Sequence, residues 1–519
     1  MSEGLFSRRD VLRGGRDVCG LLGLSALNLE AAQAALRAAP DVYQSIGVRP
    51  LINARGTFTI ISGSLMLPEV RAAMDAAAKH YVHLDELTDA IGARLAALTG
   101  AEWGLVTAGC SAGLTHATAA CVAGGNPDLH VRIPNLAGFA RDEVIIPKHS
   151  RNVYDAALRT VGVRVIEVDT VSELESALGP RTAMIYIMAS PRADESVLSL
   201  KALAPIARSK GVPILVDAAA EILTKPNVHL QNGASLVGYS GGKCLRGPQT
   251  AGLLLGRKDL VKAAWVHSAP HHGPGRAMKV GKEEAIGMLM AVEMWMKRDH
   301  DAEWKQWTSM LEHIDARVRP ITGVTTATTQ PNGLSNRTPS LRVLWDPQQL
   351  GVTGDAVSRM LFDTEPRIAM AATRNGQLVG VSLTPYMMVP GDEKIIGERL
   401  HAILSRGKPA QAAPPSTPAG DLTGRWDVRI EYAAGSSTHT LHLRQRANEI
   451  DGSHQGEFIT RDVAGTIDGD AVQLRSAFGE AHGDAITFVF TGKVAGNQMS
   501  GALDMGEYLG AKWSASRKG

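Results

Sequence analysis

An apolar run, Pro213–Val216, ends in Asp217, and a second, Leu236–Ser240, leads into Gly241, Gly242 and Lys243. In a parallel sheet the carboxyl ends of neighbouring strands open onto one edge, and that edge is where ligands bind. A carboxylate and a lysine amine brought together there suit the chemistry of pyridoxal phosphate. The amine bonds the aldehyde carbon, and the carboxylate keeps the ring nitrogen protonated, so that the ring can accept electrons from a carbanion. Ser240, three residues before the lysine, can reach the cofactor phosphate, and the two glycines let the backbone pass close without a Cβ. A surface lysine and a helix-capping aspartate are the plainer reading of the same residues. Against it, a lysine bracketed by SGG and CLRGPQ makes an odd surface loop.

Two further segments belong at the same edge. Thr107–Gly113 (TAGCSAG) follows the apolar WGLV. Small residues that open a helix directly after a strand leave free N–H groups and a helix dipole facing an anion. Cys110 and Ser111 are therefore expected in a phosphate cradle, with the Cys110 thiol read as a packing group because nothing marks it as activated. Ile145–Tyr154 (IIPKHSRNVY) also follows a strand, and an imidazole at His149 could stack on the pyridine ring and relay protons. Tyr154 is the competing stacker.

Positioning these residues requires alternating strands and helices. From Val42 to about Arg406 the pattern is of brief aliphatic runs between amphipathic stretches, the sign of a layered α/β unit. Strands are predicted at Trp103–Thr107, Glu143–Ile146, Val163–Val168, Ala183–Ile187, Pro213–Val216 and Leu236–Ser240. Helices are predicted at Val70–Lys79 and Ile91–Leu98. Residues 407–420 (GKPAQAAPPSTPAG) read as a Pro/Ala/Ser linker. Residues 421–519 change to alternating strands about ten residues apart with Gly, Asn and Asp at the turns, a small antiparallel barrel or sandwich.

Composition limits the function classes. The 519 residues carry 54 Lys+Arg against 52 Asp+Glu, are 44% hydrophobic, and show no basic, aromatic-interleaved stripe, so nucleic-acid binding and disorder are not expected. No uninterrupted apolar run of about 18 residues exists, so no membrane span is expected. Four cysteines (Cys19, Cys110, Cys121, Cys244) are too few and too unpatterned for a disulfide scaffold or zinc site. At the N-terminus, Ser7–Arg13 (SRRDVLR), the apolar stretch Val18–Leu29 and Ala32-Gln33-Ala34 fit a twin-arginine export signal over residues 1–34. The periplasm is the expected location, with the cytoplasm as the alternative if the segment is only an amphipathic helix.

The region from about Val42 to His401 resembles the pyridoxal-phosphate enzymes related to bacterial selenocysteine synthase (L-seryl-tRNA selenium transferase) and D-glucosaminate-6-phosphate ammonia-lyase. The resemblance rests on INARGTFT (Ile52–Thr59), LTGAEWGLVTAG, VDAAAE, YSGGKCLRGPQTAGLLLGRKDL and GRAMKVGKEEAIG (Gly275–Gly287). It implies the fold-type I aminotransferase architecture: a large domain (42–290) with a mostly parallel seven-stranded sheet, then a small α/β domain (291–406). It also implies a homodimer or higher homo-oligomer, Lys243 at the covalent position, and Asp217 at the pyridine nitrogen. The segment read as an export signal stands where the selenium transferases carry a tRNA-recognising domain, and the appended β domain is foreign to the cytosolic enzymes of this kind.

On that basis Arg55, Arg276 and Arg367 are candidate clamps for a substrate carboxylate or phosphate, Arg367 because the fold usually places its carboxylate arginine in the smaller domain. Lys279 and Lys282 are placed on a helical face after Arg276. The run Trp265–Gly273, with three histidines, reads as an interface or lid loop and not a metal site. The expected activity is an α,β-eliminating ammonia-lyase acting on a small amino acid or amino sugar acid. A transferase, racemase or aldolase with the same cofactor, or a non-catalytic periplasmic binding protein on a retired enzyme fold, are the alternatives.

Overall fold

The computed structural model describes residues 42–406, 415–479 and 485–518. The export signal read at 1–34, Cys19 and most of the linker lie outside the described residues.

The first described strand, β1 (Ile52–Asn53), does not join the main sheet. The larger unit is built on seven strands: β2 (Trp103–Thr107), β3 (Glu143–Pro147), β4 (Arg164–Val168), β5 (Thr182–Met188), β6 (Ile214–Asp217), β7 (Leu236–Ser240) and β8 (Gly252–Gly256). Their order is β2-β8-β7-β6-β5-β3-β4, parallel except where β8 runs antiparallel to both β2 and β7. Helices on both faces explain the aliphatic composition. Val144, Ile145, Ile146, Met184, Ile185 and Leu215 are fully buried, and burial of each such aliphatic side chain contributes about 1.5–3 kcal/mol. The predicted strands lie where expected. β8, the GLLLG run, is not among the predicted strands, because three leucines between two glycines carry no period. The predicted helices are present as Pro68–Ala77 and Leu84–Thr99, the second starting seven residues earlier than read.

The smaller unit holds β9 (Val324–Thr329), β10 (Ser340–Trp345), β11 (Ile368–Ala369), β12 (Ala371–Asn375) and β13 (Leu378–Leu383). Four of these make an antiparallel sheet in the order β12-β13-β10-β9. Helices His300–Val318, Gly354–Asp363 and Asp392–Leu404 pack with it around buried Leu311, Ile314, Trp345, Val357 and Leu400. β1 pairs in parallel with β11, and Ala54 is buried in this smaller core. The chain's opening segment, inside the range read for the larger unit, therefore ties the two units together.

The C-terminal strands are β14 (Gly424–Glu431), β15 (Ser436–Arg446), β16 (Glu449–Gln455), β17 (Thr460–Asp468), β18 (Ala471–Gly479), β19 (Ala485–Ala495), β20 (Gln498–Asp504) and β21 (Gly510–Lys518). Each pairs with its sequence neighbour, and β21 returns to pair with β14, so the ring closes and the barrel alternative holds. No helix among the described residues is long and apolar enough to cross a membrane.

Candidate active site

β6 and β7 are parallel neighbours, with Asp217 opposite Gly238, so Asp217 and the turn after Ser240 emerge on the same edge. The turn is tight: the Gly241 N–H bonds the Ala251 carbonyl at 2.8 Å, and a Cβ on Gly242 would sit 2.6 Å from Gln249 Cα. Only glycine fits there. Lys243 follows, half-buried, its carbonyl accepting the Arg246 N–H at 2.9 Å. The opening segment covers this turn, with the Ser64 N–H donating to the Gly242 carbonyl at 3.0 Å.

Asp217 is buried and held from three sides. Tyr186 donates to Oδ2 at 2.9 Å, the Ala219 N–H to Oδ1 at 3.0 Å, and the Cys110 thiol to Oδ1 at 3.7 Å. Asn152 in turn donates to the Tyr186 hydroxyl at 3.0 Å and to the Ser150 carbonyl at 2.8 Å. Burial pushes the Asp217 carboxyl upward, and the Ala219 N–H, Tyr186 and the Lys243 charge pull it back. Burial, and then the Asp217 charge, hold the Cys110 thiol and the Tyr186 phenol neutral. A neutral donor at each carboxylate oxygen fixes its direction, and Lys243 is the cation that acts on its charge. A protonated pyridine nitrogen is the partner such a group suits.

The phosphate side is equally open. Helix Gly109–Ala123 follows β2 directly, and its N-cap, Ala108, supplies no side-chain bond to the first-turn N–H groups. A Cβ on Gly252 would fall 2.4 Å from the Cys110 nitrogen, so β8 runs against the first turn only because that residue is glycine. Ser111 is exposed and Ser240 half-buried at this level. The donor set, with carboxylate, amine, free helix N–H groups and two hydroxyls on one sheet edge, fits a phosphorylated pyridine aldehyde. One refinement concerns Cys110, whose thiol turns to Asp217 and leaves only its backbone for the phosphate.

His149 lies at the end of β3, with Nδ1 3.0 Å from Ser150 Oγ and Nε2 buried without a partner. Burial lowers its pKa, and the charges felt at its ring are Arg192 and Asp169. Ser150 connects it to the Asp217 network, because the Ser150 carbonyl accepts from Asn152. Tyr154 is exposed. Arg55 is exposed and stacks on Phe58 at 4.5 Å. Arg276 is exposed in the loop before helix Lys282–Trp295. Lys279 is in that same loop and not on a helix, while Lys282 opens the helix and pairs with Glu283. Arg367 is committed locally: its guanidinium stacks on Phe362 at 3.8 Å and donates to the Phe362 carbonyl at 2.9 Å. In the three-histidine run, His267 pairs with His130 at 2.9 Å and with the Gly124 carbonyl at 2.7 Å. No metal-holding group occurs among the described residues.

Tyr186, Asn152 and Tyr386 are the residues that sequence reasoning missed. Tyr386, just past β13, accepts the Thr57 N–H at 3.2 Å and donates to Asn336 at 3.2 Å. The Asn336 N–H bonds the Ala220 carbonyl at 2.8 Å, three residues past Asp217. Tyr386 therefore links the smaller unit to the cofactor edge. It borders a cavity of about 550 Å³ that reaches Cys244 and is lined by Arg246, Arg298, Arg337 and Trp307. A lone tyrosine in the aliphatic AMIYIM strand was the available signal for Tyr186.

Comparison with known proteins agrees with this geometry. The class-V aminotransferase family model matches residues 148–334. The chain is 30% identical over 374 residues to D-glucosaminate-6-phosphate ammonia lyase of Salmonella typhimurium (strain 14028s / SGSC 2262), covering 70% of this chain and 98% of that one. It is 33% identical over 378 residues to 5'-C-glycyluridine monooxygenase-decarboxylase of a Streptomyces species, covering 70% and 92%. It is 26% identical over 284 residues to L-seryl-tRNA(Sec) selenium transferase of Moorella thermoacetica, covering 49% and 57%. A solved structure of D-glucosaminate-6-phosphate ammonia-lyase superposes with a TM-score of 0.62 over 70% of this chain and 98% of that one, at 30% identity.

Proposed function

This chain belongs to the fold-type I pyridoxal-phosphate enzymes that include D-glucosaminate-6-phosphate ammonia lyase, and from that premise we propose that it is an α,β-eliminating ammonia-lyase. Its substrate is a small 2-amino-3-hydroxy acid, including amino sugar acids.

When bound, pyridoxal 5'-phosphate supplies an electron-accepting ring conjugated to the substrate nitrogen. Lys243 holds the cofactor covalently between turnovers. Its amine, when free, would take the Cα proton and deliver a proton to the departing β-hydroxyl. Asp217, oriented by Tyr186 and the Ala219 N–H, keeps the ring nitrogen protonated. The first-turn N–H groups at Cys110 and Ser111, with the Ser240 hydroxyl, would hold the phosphate, and His149 would stack on the ring. Arg246, whose Nε is given to the Leu65 carbonyl, and Arg337 line the cavity and receive the substrate's anionic end there; Arg55, Arg276 and Arg367 are not among the residues lining it. Water lost at the β-carbon is regained when the enamine hydrolyses, so the net products are a 2-oxo-3-deoxy acid and ammonia.

The observation that carries this reading is the buried, triply held Asp217 carboxylate on the strand beside Lys243. The test is a screen of D- and L-hydroxyamino acids and amino sugar acids with the cofactor-loaded protein. Ammonia and 2-oxo acid in equal amounts is the expected result. The 33% identity to a monooxygenase-decarboxylase favours one second reading. Oxygen uptake with carbon dioxide release and no ammonia would replace the lyase assignment with it. A protein that stays colourless with added cofactor would instead indicate a binding protein.

A homodimer is part of the same proposal. Phe58, Ile60, Leu65 and Tyr81 are exposed apolar side chains on and just after the segment covering the Lys243 turn, and exposed apolar surface of this kind marks an interface. Sedimentation velocity at micromolar concentration should show a dimer; a monomer would exclude it.

A further inference from the structure

The barrel interior is not uniform. Alternate residues of each strand face inward. Toward the turns 447–448, 469–470 and 496–497 the lumen is filled by apolar side chains, including Trp426, Leu443, Ile450, Val472 and Val494. Toward the opposite rim it turns polar. Tyr432 bonds Ser437 at 2.6 Å, Ser437 bonds His439 at 3.0 Å, His439 bonds His454 at 2.8 Å, and His454 bonds Ser476 at 2.7 Å.

Beside this chain lies Arg461, only 8% exposed. Its guanidinium stands over the Phe488 ring at 4.8 Å, and Nε and Nη1 are buried with no hydrogen-bond partner. No carboxylate pairs with it among the described residues; Glu457, exposed in the 456–459 turn, acts on His439 instead. A buried, unpaired cation costs several kcal/mol. The edge that grips a carboxylate side-on is formed by Nε–H and the neighbouring Nη2–H, and among the described residues neither makes a hydrogen bond. Phe488 and Tyr432 also line a cavity of about 330 Å³ at this rim, with Ile486, Met505, Tyr508 and Leu509. That volume is in the range of small-molecule sites.

We propose that the barrel is a binding module for a small organic acid, with the carboxylate held by Arg461 and the apolar body resting on Phe488 and the residues around it. One cation flanked by neutral imidazoles matches a monoanion better than a phosphate dianion: burial lowers His439 and pushes His454 down to about 3. The site uses no residue of the Lys243 edge.

Calorimetric titration of the full, cofactor-loaded chain with octanoate, octyl phosphate and octanol tests this. Octanoate should bind, with octyl phosphate weaker and octanol at least roughly tenfold weaker, the expected difference for a charge-assisted bond. Arg461→Met should lose octanoate binding by about tenfold or more and leave weak octanol binding, the cofactor spectrum and catalysis unchanged. Its ligand-free melting temperature should rise, because the unpaired charge is gone, and this also reports an intact fold. Arg461→Lys, which keeps the charge but not the fork, should fall between the two. Equal binding of octanoate and octanol, wild-type octanoate affinity in Arg461→Met, or no octanoate binding at millimolar concentration would overturn the proposal. Tighter binding of octyl phosphate would overturn the carboxylate assignment.

Discussion

Replacing Lys243 by alanine is expected to abolish the visible absorbance of the cofactor-loaded protein and to lower turnover by at least about a thousandfold. The backbone at this position is fixed independently of the side chain. Gly241 bonds Ala251, Arg246 bonds the Lys243 carbonyl, and Ser64 bonds the Gly242 carbonyl. The Lys243 side chain makes no hydrogen bond among the described residues, so its loss removes chemistry and leaves the turn in place. Melting temperature should barely move, and exogenous cofactor should remain weakly bound through the Asp217 and phosphate contacts. Retained visible absorbance with normal ammonia release would assign the covalent lysine elsewhere.

Asp217→Asn is the second large effect. The amide oxygen can still accept from the Ala219 N–H, and the amide NH2 at the other position donates to the Tyr186 hydroxyl, so the side chain keeps its place while the negative charge is lost. Without that charge the ring nitrogen is not held protonated, and the developing carbanion loses its electron sink. Removing one preorganised electrostatic group of this kind costs about 10²–10³ in turnover. The cofactor should stay bonded to Lys243, so the spectrum persists while the rate of Cα–H exchange with solvent deuterium falls. Unchanged exchange would mean that Asp217 is a structural carboxylate only.

The pair at the centre of both predictions was legible because strand direction does the work: two aliphatic strands running parallel must deliver their final residues to one edge. What holds Asp217 was not legible. Asn152, Tyr186 and Asp217 meet through the register of β3, β5 and β6, and register is a tertiary property. Arg367 is engaged locally, since Phe362 at the end of the preceding helix offers its ring and carbonyl to the guanidinium, a contact that spacing does not announce. Barrel and sandwich could not be separated from strand spacing, because closure depends on β14 meeting β21 at opposite ends of the unit. Arg461 was readable in principle: it shares strand parity with buried Val463 and Ile467, which points a charged side chain inward.

The most direct test of the account is to reduce the cofactor-loaded protein with borohydride, digest it and locate the label by mass spectrometry. The account predicts a single pyridoxyl-phosphate adduct on the peptide containing Lys243. An adduct on another lysine, or none on a protein that binds the cofactor, would contradict it.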